Sequence, residues 1–93
     1  MVKYTGQITV KQQDGTPASF AVVKVFKRGR ACFAWWCWDV DNYQYSVVTD
    51  FNGKTTLSLD PGTYKLRAEW RGKWGEWVGN VTGNFGLSIY LRP

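Results

Sequence analysis

Residues 49–68 read TDFNGKTTLSLDPGTYKLRA, and this stretch decides the fold class. It contains two turn signals, Asp50-Phe51-Asn52-Gly53 and Asp60-Pro61-Gly62. Pro presets φ at an early turn position, and Gly accepts the positive φ that tight turns need. Apolar or β-branched residues alternate with polar ones around the second turn, at Thr55, Leu57, Leu59, Tyr64, Leu66 and Ala68. A period of two indicates half-buried strands, so the stretch predicts two consecutive strands joined by a tight turn.

The same alternation extends outward in both directions, over residues 2–11, 21–26, 45–49 and 85–91. Asp14-Gly15-Thr16-Pro17 supplies another turn signal, and glycines punctuate residues 72–83. No helical period of 3.6 persists over a useful window. The 93 residues therefore predict one all-β domain spanning 1–93, an antiparallel Ig-like or transthyretin-like sandwich of about seven strands with one long loop at 28–43.

Several of these motifs also suggest a family. The segment from Gly6 to Gly15, with Pro17 and Ala21-Val22-Val23, and the run from Thr49 to Leu66 resemble carboxypeptidase regulatory-like (transthyretin-like or prealbumin-like) domains. The resemblance implies a seven-stranded sandwich in a supporting or binding role. Related pilin-type sandwiches carry a Lys–Asn isopeptide bond assisted by an acidic residue. We expect no such bond here, because Glu69 and Glu76 come late and face outward or into a loop.

Composition argues against several functions. Histidine is absent, which removes the usual general base near neutral pH and the commonest metal ligand. The seven carboxylates are scattered, so we expect a non-enzymatic domain without metal or cofactor. No apolar run of about 18 residues occurs, so no membrane span is expected. The net charge of +5 is compatible with nucleic acid, but residues 32–45 contain Asp39 and Asp41 and no Lys or Arg, which disfavours that partner.

Residues 28–43 break the alternation and are predicted to form a long aromatic loop. Loops of this length are commonly functional. Four of its aromatic rings, fully exposed, would present roughly 600–1,000 Å², more than the largest apolar patch of an ordinary monomer. Arg30, Asp39, Asp41 and Asn42 are expected to form a polar rim beside the rings, as at protein-binding hot spots. Two alternatives remain open: the loop completes the core at one end, or it forms an elongated hairpin with its rings on a sheet face.

Cys32 and Cys37 are the only cysteines. Their spacing favours a disulfide that closes a short hairpin-like ring and preorganises the aromatic tip. Two free thiols are the alternative, and a metal site is disfavoured without histidine. The sequence does not set a compartment; an oxidised pair favours an extracellular or recombinant origin.

Three further tryptophans occur in residues 70–77. Trp70 continues the inward face of the preceding strand and is expected in the core, whereas Trp74 and Trp77 are candidates to assist binding. If every strand traverses the domain, this window and the 28–43 loop lie at opposite ends. We therefore weight the first window more heavily.

The sequence thus predicts a binding module, either specialised or engineered, that recognises a protein through the loop at 28–43. The alternative is a carbohydrate-binding accessory domain that stacks sugars on Trp and Tyr. Self-association through the tryptophans is a third use of the same rings. The predicted contact residues are Arg30, Phe33, Trp35, Trp36, Trp38, Asp39, Asp41, Tyr43, Trp74 and Trp77.

Overall fold

The computed structural model describes residues 3–92. Val2, where the first predicted strand starts, lies outside the described residues. Seven strands follow in chain order: β1 (Tyr4–Lys11), β2 (Val22–Phe33), β3 (Trp36–Val48), β4 (Lys54–Leu59), β5 (Gly62–Trp70), β6 (Lys73–Val81) and β7 (Phe85–Tyr90).

The strands form two sheets that pack as a sandwich. One has the order β4-β1-β7 and the other the order β3-β2-β5-β6. The predicted all-β sandwich of seven strands is confirmed. One pairing differs from the antiparallel expectation: β1 and β7 run parallel, from Gly6 opposite Phe85 to Lys11 opposite Tyr90. A parallel pair needs a long connection, and the five intervening strands provide it.

The core lies between the sheets and follows the alternation in the sequence. Ile8 and Val10 of β1 face Val23, Val25 and Leu66 of the four-stranded sheet, and all five are fully buried. Tyr64, which follows the Asp60-Pro61-Gly62 turn, also enters the core. Each buried aliphatic or aromatic side chain of this kind contributes about 1.5–3 kcal/mol by leaving water.

The turn at Asp50–Gly53 forms as predicted. The Asp50 carboxylate accepts hydrogen bonds from the backbone N–H groups of Asn52 and Lys54, at 2.8 and 2.9 Å. Gly53 has φ +75°, and a Cβ there would lie 2.6 Å from the carbonyl oxygen of Val10. Only glycine fits both constraints, so this turn locks β3 and β4 against the end of β1.

Residues 28–43 do not form the predicted long loop. They continue β2 and β3 as a two-stranded hairpin, with a turn at Ala34 and Trp35. This is the elongated hairpin left open as an alternative. The prediction of a loop was wrong because two-residue hairpin turns are usually recognised by Asn-Gly or Asp-Gly, and the Ala34-Trp35 turn contains neither.

Candidate functional site

The hairpin projects beyond the sandwich. The last residue of β2 that pairs with β5 is Lys27, opposite Tyr64, and from Arg28 onward β2 pairs with β3 alone. We call residues 28–41 the arm. Its six cross-strand pairs span roughly 20 Å at the usual rise per residue. The molecule measures 47 × 30 × 18 Å, and the arm accounts for much of its long axis.

A bulge in β3 determines which side chains each side of the arm displays. Val25 pairs with Tyr45, but the next residue, Phe26, pairs with Tyr43, so Gln44 is the extra residue. Because side chains alternate along a strand, one extra residue reverses the orientation of everything beyond it. The bulge therefore places Trp36 and Trp38 on the side of the arm that is continuous with the core.

That side is the aromatic face, which carries Gly29, Ala31, Phe33, Trp36, Trp38 and Val40 by alternation along the paired strands. Trp35, at the turn, is 92 % exposed, Phe33 78 %, Trp36 67 % and Trp38 45 %. These four residues and Ala34 line one open concavity of about 470 Å³. Taking typical ring areas, they expose on the order of 550 Å², near the upper limit of an ordinary monomer's largest patch.

The opposite side of the arm is charged. Arg28 lies across from Asp41, with 3.3 Å between guanidinium Nε and carboxylate Oδ1, and Arg30 lies across from Asp39. The predicted polar rim is therefore wrong in placement for Arg30, Asp39 and Asp41, because alternation turns these side chains away from the rings. Asn42, the fourth predicted rim residue, lies at the base of the aromatic face, opposite Lys27.

The base of the arm is anchored on its charged side. Phe26 and Tyr43 meet edge to face with ring centroids 5.7 Å apart, and the Lys65 ammonium lies 5.9 Å from the centre of the Phe26 ring. Lys65 also bonds Glu76 at 2.9 Å and lies 3.7 Å from Asp41. The bond to Glu76 raises the pKa of the Lys65 ammonium. Tyr43 thus helps to hold the arm and lies on the face opposite the tryptophans.

A disulfide joins Cys32 and Cys37 near the tip, as predicted. The two residues face each other in the register with Cα atoms 4.1 Å apart, and both are exposed. Between them, Phe33 and Trp36 flank the two-residue turn. An isolated two-stranded hairpin is marginal in water, so this bond supplies the arm with a covalent closure where a third strand is missing.

The second aromatic window lies at the other end of the four-stranded sheet. The turn at Arg71 and Gly72 is next to the Val22 end of β2, whereas the tip of the arm is at the Phe33 end, roughly 37 Å away along the strand. The two windows do not share a surface. Trp74 and Trp77 are therefore not part of the surface that the arm presents.

Each of those rings has partners within the sandwich. The guanidinium groups of Arg67 and Arg92 both lie over the Trp74 ring, at 4.8 and 5.1 Å from its centre. Trp77 stacks on Phe85 at 6.0 Å and packs against the core. Trp70 also packs there, as expected, and its indole N–H donates to the carbonyl of Ser19 at 2.8 Å.

Sequence reasoning missed the small residues of the aromatic face, Gly29, Ala31 and Val40, and Lys27 at its base. The signal was present in Trp36, Trp38 and Val40, which alternate with Cys37 and Asp39. It was overlooked because the extra residue at Gln44 puts this alternation out of phase with Tyr45 and Val47.

Across residues 3–92, no cluster of three or more His, Cys, Asp or Glu side chains has an arrangement that could hold a metal ion. Within the same residues, no helix is long and apolar enough to cross a bilayer.

These features define a seven-stranded β-sandwich with a disulfide-closed aromatic arm. No protein-family model matches the chain, and no curated protein sequence matches it. Among solved structures, it is similar to the crystal structure of a 9R-lipoxygenase from Cyanothece PCC8801, with a TM-score of 0.58 and 15 % sequence identity. The match covers 94 % of this chain but only 16 % of the lipoxygenase chain. The likeness concerns the β-sandwich fold alone.

Proposed function

We propose that this domain is a non-enzymatic binding module that recognises a protein through the aromatic face and tip of the arm. The observation that carries the proposal is the exposure of Phe33, Trp35, Trp36 and Trp38 on a projection that contributes nothing to the sandwich core. Large apolar rings exposed to water lower the solubility of a protein. Their presence on the arm is explained if a binding partner covers them.

Three properties of the arm support recognition of a protein surface. Its rings are large and rigid, the residue type that dominates binding hot spots. They converge on one concavity into which a protruding side chain can fit. The disulfide and the anchored base hold the arm in position before contact, which lowers the entropy lost on binding.

The resemblance to carboxypeptidase regulatory-like domains supports a binding role of this kind. The residues that carry it form the Asp50–Gly53 turn and place Tyr64 in the core, which are structural roles remote from the arm. In this proposal the sandwich is the frame, and specificity resides in the arm. Whether a natural or an engineered history produced the arm does not alter its chemistry.

The test compares three purified proteins: the wild type, a variant with Trp36→Thr and Trp38→Thr, and a control with Phe51→Thr. Thr preserves strand propensity at the two arm positions. Phe51, 73 % exposed, lies in the β3–β4 turn at the opposite end of the sandwich, so it removes a comparable ring elsewhere. Each protein is immobilised and exposed to an extract of the source cells, and bound proteins are quantified by mass spectrometry.

We expect the wild type and the Phe51 control to enrich the same protein, which can be a second copy of this chain. The arm variant should enrich that protein roughly 30-fold less or weaker still, because loss of one hot spot costs about 2 kcal/mol of binding free energy. Equal enrichment by all three would overturn the proposal. Retardation of the wild type alone in gels containing polysaccharide would assign the arm to carbohydrate instead.

A further inference from the structure

The aromatic face lacks the opposing layer that covers the core residues on the same side of the four-stranded sheet. Over Val23, Val25 and Leu66 that layer is the β4-β1-β7 sheet, which covers the core. The arm extends past this covering sheet, and Phe33 and Trp36 are therefore exposed to solvent. A sheet face rich in large apolar side chains is stable when a second layer packs on it about 10 Å away.

The distribution of volume on this face identifies what can supply the missing layer. Near the tip are the bulky residues Phe33 and Trp36, which form one cross-strand pair. Near the base are Gly29 and Val40, which form another and are small. The pair between them, Ala31 and Trp38, combines one small and one large side chain. The face therefore carries its bulky side chains near the tip and smaller ones toward the base, where the Asn42 amide lies beside Gly29.

Bulky side chains at one end of a face and smaller ones at the other can be matched between two copies that are related by a twofold axis. We infer that a second copy of this chain is the protein partner, and that two arms pack antiparallel, aromatic face against aromatic face. The axis passes near the Ala31–Trp38 pair, so Phe33 and Trp36 of each copy sit over Gly29 and Val40 of the other. This inference rests on the proposed function, because it names the partner of the same face.

The areas and charges suit such a dimer. Four rings on each copy, at on the order of 550 Å² per copy, would bury on the order of 1,100 Å² in total if fully covered, which is the size of a weak protein interface. The charged residues Arg28, Arg30, Asp39 and Asp41 lie on the opposite side of the arm and remain in water. Only Lys27 brings a charge to the buried side, at its outermost edge.

Sedimentation equilibrium on the oxidised protein, from about 1 µM to about 1 mM, tests the inference over the range in which weak dimers dissociate. We expect a mass that rises toward twice 10.7 kDa for the wild type and for Phe51→Thr. The double variant Trp36→Thr, Trp38→Thr should stay monomeric. Small-angle scattering of the dimer should give a maximum dimension of roughly 75 Å, because two 47 Å molecules overlap only along their arms.

A larger side chain at the base of the face distinguishes shape-specific pairing from non-specific association. Val40→Trp adds apolar surface to the aromatic face but occupies the seat of the partner's Trp36. We expect the dimer to weaken at least tenfold; stronger association would show a non-specific patch and overturn the inference. A dimer that persists in the Trp36→Thr, Trp38→Thr variant would also overturn it, since the contact would then lie elsewhere.

If the wild type stays monomeric at every concentration, the dimer inference is wrong, and the proposed function is still decided by the capture experiment. If that monomer still captures a different protein through Trp36 and Trp38, only the identity of the partner was wrong. If it captures none, both proposals fail. If the protein stays monomeric and its mass increases only when polysaccharide is added, the aromatic face is a carbohydrate-binding site instead.

Discussion

Cys32 and Cys37 face each other across the β2–β3 hairpin, one residue pair away from the turn that carries Ala34 and Trp35. The strands on either side of this pair have no third strand beside them, because β5 ends its pairing with β2 at Lys27. The bond therefore closes the least supported part of the sheet. Two features of the arm, one of the core and one of the outer face of β5 lead to measurable predictions.

Replacing both cysteines by serine should loosen the arm and leave the sandwich folded. Closure of so short a ring contributes about 2 kcal/mol in the chain-entropy model. We expect hydrogen exchange of the backbone amides at 28–41 to accelerate roughly 30-fold. Amides of β5, such as those of Leu66 and Ala68, are buried in the core and serve as the internal control. Equal acceleration in both regions would show that the bond supports the whole domain.

Ala34→Gly should stabilise the protein. Ala34 has φ +54°, and Trp35 is not among the residues with positive φ, which is the pattern of a type II′ turn with glycine at its first central position. Relief of 1–3 kcal/mol of backbone strain exceeds the entropic cost of glycine, so we expect a net gain of about 1 kcal/mol in thermal or denaturant unfolding. Ala31→Gly, in the adjoining strand, should instead lower stability. No gain from the first change would contradict the assigned turn.

Thr49→Val should cost about 1–3 kcal/mol in the free energy of unfolding, despite its similar shape. The Thr49 side chain is only 1 % exposed. Its hydroxyl donates to the carbonyl of Ala18 at 3.0 Å and accepts from the N–H of Ala21 at 2.8 Å. Valine would therefore leave the Ala18 carbonyl and the Ala21 N–H buried without this hydrogen-bond partner. Thr56→Val, at an exposed position of β4, should change stability by no more than about 0.5 kcal/mol. Equal losses of unfolding free energy in Thr49→Val and Thr56→Val would show that the Thr49 hydrogen bonds do not stabilise the fold.

Stability should fall in acid partly through Glu69. Hydrogen bonds from Arg67 and then Lys24 lower the pKa of its carboxyl below the ordinary 4.5. A group with a lowered folded-state pKa stabilises the fold above its unfolded pKa, and that contribution is lost as the pH drops through the folded value. Glu69→Gln should therefore flatten the decline in the free energy of unfolding below about pH 4.5, measured by urea titration at successive pH values. Parallel declines in the two proteins would contradict the assignment.

The frame could be predicted residue by residue. Asp50, Gly53 and the Pro61-Gly62 pair mark their turns because only a few residue types satisfy the local backbone and hydrogen-bond demands there. Tyr64 enters the core because it continues a period of two, which is set by the geometry of a strand alone. Composition likewise singled out Phe33, Trp35, Trp36 and Trp38, which the structure brings together.

The arrangement of the site could not be predicted in the same way. Arg30 and Asp39 are neighbours of the rings along the chain but lie on the opposite face. Trp77 has the same residue type as Trp36 but is packed against Phe85. Neither outcome follows from residue type, since both depend on which strands meet and in which register.

By itself, the sequence determined that this chain is all-β, that its turns fall at Asp50–Gly53 and Asp60–Gly62, and that an excess of indoles surrounds Cys32 and Cys37. Tertiary structure alone decided that these indoles stand on an arm and which way they point. The extra residue at Gln44 reverses the direction in which the side chains of the outer part of β3 point, and β5 stops pairing with β2 at Tyr64. Both are relations between strands distant along the chain, which a local pattern does not encode.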